Sequence, residues 1–146
     1  MFKEGTIIYF NVFYFNNSAP PKPKYFIVIK HIGNATILAS LPSSQKHLPF
    51  VLQSTYGCLE LPDSGIGCYA FKSNIAVATN GFAFPLDSYL YGQHLDEYDL
   101  ENILEIYPFE GIQYEIKGEL LPERLEEIIE CFKNSASVKR RFRRLL

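Results

Sequence analysis

The chain has 146 residues, 47% of them hydrophobic, which is enough for one ordinary core and too little for two. Aromatics make up 15% through ten Tyr and twelve Phe with no Trp, a usage that favours pleated surfaces and predicts a largely β protein, one domain over 1–146. The net charge of -2 excludes a nucleic-acid reading based on overall charge, because it is the residue of three unequal parts: six Lys against four acids in 1–95, twelve acids against Lys117 and Arg124 in 96–130, and six bases in 131–146.

The opening "MFKEGTIIYFNVFYF" is apolar but interrupted by Asn11, and no small-residue cleavage site follows, so no signal peptide is expected. No segment reaches the roughly 20 apolar residues that a membrane-spanning helix needs. A soluble, cytoplasmic protein is the expectation. "GTIIYFNVFYF" reads as a first strand and ends in "NNSAPPKPK", a loop by its Asn, Ser and Pro content. "YFIVIKHI" and "ATILASL" read as strands joined at Gly33-Asn34, a dipeptide suited to a tight hairpin. Pro42 and a polar run stop the third strand, and "PFVLQS" reads as the start of another.

"PDSGIGCYAF" is a turn leading into a strand, and its glycine pair lacks the spacing of a phosphate-cradling loop. "SNIAVAT" and "GFAFPL" flank Asn80-Gly81, a second hairpin signal. Five or six strands with short links predict a small, strongly bent barrel rather than a sandwich. "DEYDLENILEIY" is a short helix presenting Leu100, Ile103 and Leu104, and "GIQYEIKG" alternates Ile112, Tyr114 and Ile116 as a strand does. "LLPERLEEIIECFKNS" is the clearest helix, with Pro122 in its first turn and Leu121, Leu125, Ile128, Ile129 and Phe132 along one side. In the tail, 135–146, Ser135 or Ser137 caps a last helical turn that carries Val138, Phe142 and Leu145 on one face. Its bases either pair with the acidic belt of 96–130 or form a phosphate-contacting arm or dimer contact.

Cys58, Cys68 and Cys131 are an odd number with no metal-site spacing. Three free thiols are expected, a bond between the first two being the alternative in an oxidising compartment. His31, His47 and His94 are scattered, so no zinc site and no other cofactor is expected.

The order of these pieces carries more than any one of them. "EGTIIYF", a loop ending in "KPKYFIVI", Gly33-Asn34, "ATILASLPSSQ", "LPFVL", "SNIAVA" and finally "IKGELLPERLEEIIECF" resemble the MazF/PemK-like toxin family over 4–85 and 116–134, leaving an acidic insertion at about 86–115 without a counterpart. The resemblance implies an SH3-like β-barrel closed by a C-terminal helix, commonly a homodimer, acting as the toxin of a type II toxin-antitoxin pair beside a cognate antitoxin. Active members of the family are endoribonucleases that cut single-stranded RNA without metal: the ribose 2′-OH attacks the adjacent phosphate, a base assists, and a cation with hydroxyl donors steadies the oxyanion.

Carried onto this chain, the family's strand-two arginine falls on Lys24 or its neighbour Lys22, and its corner hydroxyl on Ser43 or Ser44. No arginine precedes Arg124, so an ammonium stands where the family has a planar, two-pronged guanidinium. The prolines around Lys22 and Lys24 either hold the cations stiffly beside an anion or blunt a sheet edge that the lysines keep soluble. His47 is a candidate proton carrier, Gln45 and Lys46 are candidate RNA contacts, and Tyr25, with Tyr9 and Tyr14, either stacks on unpaired bases or packs the sheet. Two other functions fit the same residues: a non-catalytic barrel binding a protein or nucleic acid, and an interaction module whose working surface is the acidic segment.

Overall fold

The computed structural model describes residues 2–44 and 56–146. Its strands are β1 (Thr6–Phe13), β2 (Lys22–His31), β3 (Thr36–Ser40), β4 (Gly57–Leu61), β5 (Ile66–Phe71), β6 (Ser88–Tyr91), β7 (Asp96–Asp99) and β8 (Tyr114–Glu119). Its helices are α1 (Leu100–Ile106), α2 (Pro122–Lys133) and α3 (Arg140–Arg143). A five-stranded antiparallel sheet runs β7-β3-β2-β1-β8 and a three-stranded one runs β4-β5-β6. The mainly β class with late helices is therefore as expected, whereas the described strands form two sheets and no closed barrel. Among the described residues, isolated bridges join Ser43 with Tyr89, Ala78 with Leu120 and Glu110 with Tyr114 outside both ladders. No helix among the described residues is long and apolar enough to cross a membrane.

The unbroken apolar runs in β1 and β2 have a direct cause: the larger sheet is covered on both faces. Side chains alternate across a strand. Ile7, Ile27, Ile29 and Leu38 therefore face a core completed by Tyr69, Phe71, Ile128, Phe132 and Phe142, from the smaller sheet, α2 and the tail. Ile8, Phe10, Phe26, Val28 and Ile37 face the opposite way, into a second core closed by Leu100, Ile103, Tyr107 and Tyr114. The Phe10 ring lies within 6 Å of Phe26, Tyr107 and Tyr114 centroids, the contact range of aromatic pairs. α1 is thus the cover of the second face. Asp99 caps it by accepting the Glu101 and Asn102 amides, and Glu101 and Glu105 point outward.

Local departures from the sequence reading have local reasons. The Gly33-Asn34 hairpin forms as β2–β3 without a positive φ at either residue. At Asn80-Gly81 the chain does turn back, with Gly81 at φ 86° and the Val77 amide on the Phe82 carbonyl at 2.8 Å, but no ladder follows. The Val77 carbonyl instead accepts the Leu121 amide and the Thr79 amide bonds the Glu119 carbonyl, so these groups are spent at and just beyond the end of β8. Ile112 and Ile116 are exposed at the sheet margin while Tyr114 is buried. "PFVLQS" lies outside the described residues.

The expectation of three free thiols is overturned: Cys58 on β4 is bonded to Cys131 on α2, and Cys68 alone remains a free thiol. The considered Cys58–Cys68 pair is blocked by register, since Cys58 lies opposite Tyr69 and the adjacent Cys68 projects to the other face. The bond spans 73 residues, and the chain-entropy argument gives a closure of that size about 4 kcal/mol. Reduction, or Cys131→Ala, is expected to lower unfolding stability by about 2–4 kcal/mol, read as a fall in the urea midpoint with and without reductant.

Candidate functional site

The chain between β1 and β2 turns at Asn17–Ala19, where the Asn17 side chain accepts the Ala19 amide at 3.1 Å and Ser18 takes φ 64°. It enters β2 through Pro21, Lys22, Pro23 and Lys24. This first part of β2 pairs only with β1, because the β3 partners begin at Ile27. Pro23 therefore costs no second ladder, as proline requires. The half-buried Lys24 sends its Nζ to the Pro42 carbonyl at 3.1 Å, which fixes the ammonium beside the chain leaving β3. Burial, and then the neighbouring Lys22 charge, lower the Lys24 pKa from its ordinary value.

Ser43 stands at the junction of the two sheets. Its amide and carbonyl both bond Tyr89 of β6, at 2.9 and 2.8 Å. Beyond β6, Tyr91 leads into a 3-10 turn, Gly92–His94, closed by the Leu95 amide on the Gly92 carbonyl, and Asp96 then opens β7. The tail comes to the same place. Glu60 on β4 accepts the Ser135 hydroxyl at 2.8 Å and the Ala136 amide at 3.1 Å. Val138 then packs over Gly92, where an added Cβ would come within 2.7 Å of its Cγ2. Glycine at 92 is what lets the tail cross so closely.

These four segments enclose a cleft of about 600 Å³. Lys22 and Lys24 form one wall with Ser43; Tyr91, His94 and Asp96 form another; Phe13 and Phe15 contribute rings, and Lys139 reaches in from the tail. A smaller hollow of about 260 Å³ lies on the other side of Lys22, Lys24 and Ser43, lined by Tyr9, Tyr25, Ser44 and Leu86. Its two tyrosine rings are 4.9 Å apart. The sequence candidates Lys22, Lys24, Ser43, Ser44 and Tyr25 are therefore neighbours in space, while Gln45, Lys46 and His47 lie outside the described residues. Tyr14 is apart from both hollows and rests on Tyr107 instead.

Three further residues line the cleft that the sequence does not mark as belonging to it. His94 counted only as a scattered histidine, Asp96 as the start of an acidic belt and Lys139 as one base of a tail. The only sequence signal was that Lys139 opens the basic run. The expected serine cap of α3 is also corrected: Lys139 occupies that position with no side-chain cap, because the Ser135 hydroxyl is held by Glu60. The tail bases form no ion pair with the acidic belt among the described residues, whose acids pair with Lys3, Lys117 and Arg124. No group of three His, Cys, Asp or Glu side chains there is placed to hold a metal.

Cations, a hydroxyl and an imidazole around an aromatic hollow can bind a phosphodiester, accept hydrogen bonds and move a proton. Compared with models of protein families, with curated proteins and with solved structures, the chain finds no match in any of the three.

The lowered Lys24 pKa has a sign. A lysine whose folded pKa lies below its unfolded value opposes folding while charged in both states, and that penalty fades as pH rises through the folded pKa towards 10.5. Lys24→Met is accordingly expected to leave the melting temperature equal or higher at pH 7, while weakening polyanion binding. Glu60→Ala should speed tryptic cleavage within Lys139–Arg144 and lower anion affinity by the same factor as Lys139→Ala.

Proposed function

We propose that the protein is a MazF/PemK-like toxin that cuts single-stranded RNA without metal, its two bridged sheets forming a bent, SH3-like barrel. The observation that carries this reading is the convergence of Lys22, Lys24, Ser43, His94 and Lys139 on one cleft lined by aromatic rings. Single-strand binders combine such a basic groove with rings on which bases stack. The bridges from Ser43 to Tyr89 and from Ala78 to Leu120 support the barrel-like part, since each joins elements outside the regular ladders. A cognate antitoxin, a homodimer and a cytoplasmic site belong to the same proposal.

The reaction divides among the side chains as follows. The ribose 2′-OH attacks the adjacent phosphorus, and His94, the side-chain type that changes charge nearest neutral pH, takes its proton. The Lys24 ammonium and the Ser43 hydroxyl face the oxyanion that develops. The 5′-oxygen leaves with a proton supplied from the Lys24 side or from water, and the products are a 2′,3′-cyclic phosphate and a 5′-hydroxyl. Lysine serves here as a point charge where arginine would grip two oxygens, so orientation falls to the Pro42 contact and to the neighbouring prolines.

Purified protein is expected to cleave an unstructured RNA in the presence of EDTA, and Lys24→Ala to lower the rate by about 10²-fold or more. Cleavage unchanged in that variant removes Lys24 from the mechanism. Binding without cleavage in the wild type selects the non-catalytic, nucleic-acid-binding barrel. Three cations on the path give log K against log salt a slope of roughly -2 for a single strand, and Lys139→Ala should flatten it by about 0.7.

A further inference from the structure

The two hollows are not equivalent, and their difference bears on which bases the protein accepts. They share Lys22, Lys24 and Ser43 as a common ridge, so a phosphate seated there has one hollow on each side. The smaller side is lined by tyrosine rings, prolines, Leu86 and serine hydroxyls, with no carboxylate among them; besides the ridge lysines, the nearby cation is Lys117, 5.8 Å from the centre of the Tyr9 ring. Stacking on such a surface tolerates every base, because each has a π-face. The larger side holds Asp96, the one carboxylate lining the cleft among the described residues, beside the Tyr98 ring. Its Oδ1 accepts the Glu97 amide at 2.8 Å, and an ionised carboxylate keeps further acceptor sites and has no donor. A phosphate is repelled from that spot and drawn to the ridge; a base edge that presents N–H groups is drawn to it.

We propose that this surface reads RNA on one side only: the base in the larger cleft is selected by Asp96, and the base across the ridge is held by stacking without selection. Guanine, with N–H donors side by side at N1 and N2, matches a two-oxygen acceptor best. Adenine and cytosine offer one exocyclic amine each. Uracil is the poorest ligand, since its single N–H is flanked by two carbonyl oxygens. The inference rests on the RNA-binding reading above and does not require cleavage.

The test uses 2′-O-methyl heptamers, which cannot be cut, built on an all-uridine frame with a single G, A or C placed at each position in turn. Fluorescence anisotropy gives the affinities at fixed salt. At one position G is expected to bind at least fivefold more tightly than U, with A and C between. Asp96→Asn, whose side chain can still accept the Glu97 amide, should bring that ratio below twofold. Circular dichroism and the melting temperature show whether the variant is folded. Tyr9→Ala, on the smaller side, should weaken every heptamer by a common factor and leave the ratio intact. Equal affinity of the wild type for all heptamers, or an unchanged ratio in folded Asp96→Asn, overturns the proposal. Failure to bind any heptamer overturns it together with the RNA reading, whereas selective binding by a protein that does not cleave upholds it and removes only the ribonuclease.

Discussion

Burial of the larger sheet on both faces is the constraint from which the rest of the structure follows. A strand such as β2, apolar on successive residues from Phe26 to Ile29, cannot leave either side in water at tolerable cost. One side is met by the smaller sheet, α2 and Phe142 of the tail. The other requires an additional cover, and the acidic segment supplies it through Leu100, Ile103 and Tyr107. The segment's charge is therefore the outer face of a structural element, and the reading of 96–130 as a working surface loses the side chains that look inward.

The same constraint sets where the candidate site lies. Lys22 to Tyr25 extend beyond the reach of β3, so β2 leaves the double-covered region carrying its lysines to the rim. There the chain leaving β3 crosses to β6 through Ser43 and Tyr89, and the turn after β6 passes under Val138. Cys58–Cys131 ties α2 to β4, and the tail that leaves α2 is fastened by the Glu60 bonds to Ser135 and Ala136. The second fastening does not depend on redox state, so a reducing compartment still leaves Lys139 tied to the cleft.

The absence of arginine before Arg124 shapes the chemistry that such a rim can perform. An ammonium partly withdrawn from water, with one donor committed to the Pro42 carbonyl, is a placed charge with two remaining donors. Its burial disfavours the charged form, so the ammonium is held there at some cost to the fold. Under the proposed RNA-binding role the aromatic walls would complement it, since ring faces meet bases by contact area and require no directional bonding.

The sequence by itself determined the elements whose signal is local. Period-two and continuous apolar runs gave β1, β2 and β3, and the spacing of Leu125, Ile128 and Phe132 gave α2, whereas Lys22, Lys24, Ser43 and Ser44 were put forward together only by the family resemblance of "KPKYFIVI" and "ATILASLPSSQ". What it left undecided were partnerships between distant residues, because hydrogen bonds and disulfides are chosen by the geometry that packing creates. The Thr79 amide met Glu119 of β8 and the Val77 carbonyl met Leu121 rather than extending their own hairpin, Cys131 met Cys58 rather than staying reduced, and Ser135 met Glu60 rather than capping α3. His94, Asp96 and Lys139 joined the lysines for the same reason: residues up to 117 positions apart came to one rim only after two covered faces had fixed the paths of β6, β7 and the tail. Burial is a property of the whole fold, so tertiary structure alone assembled the site.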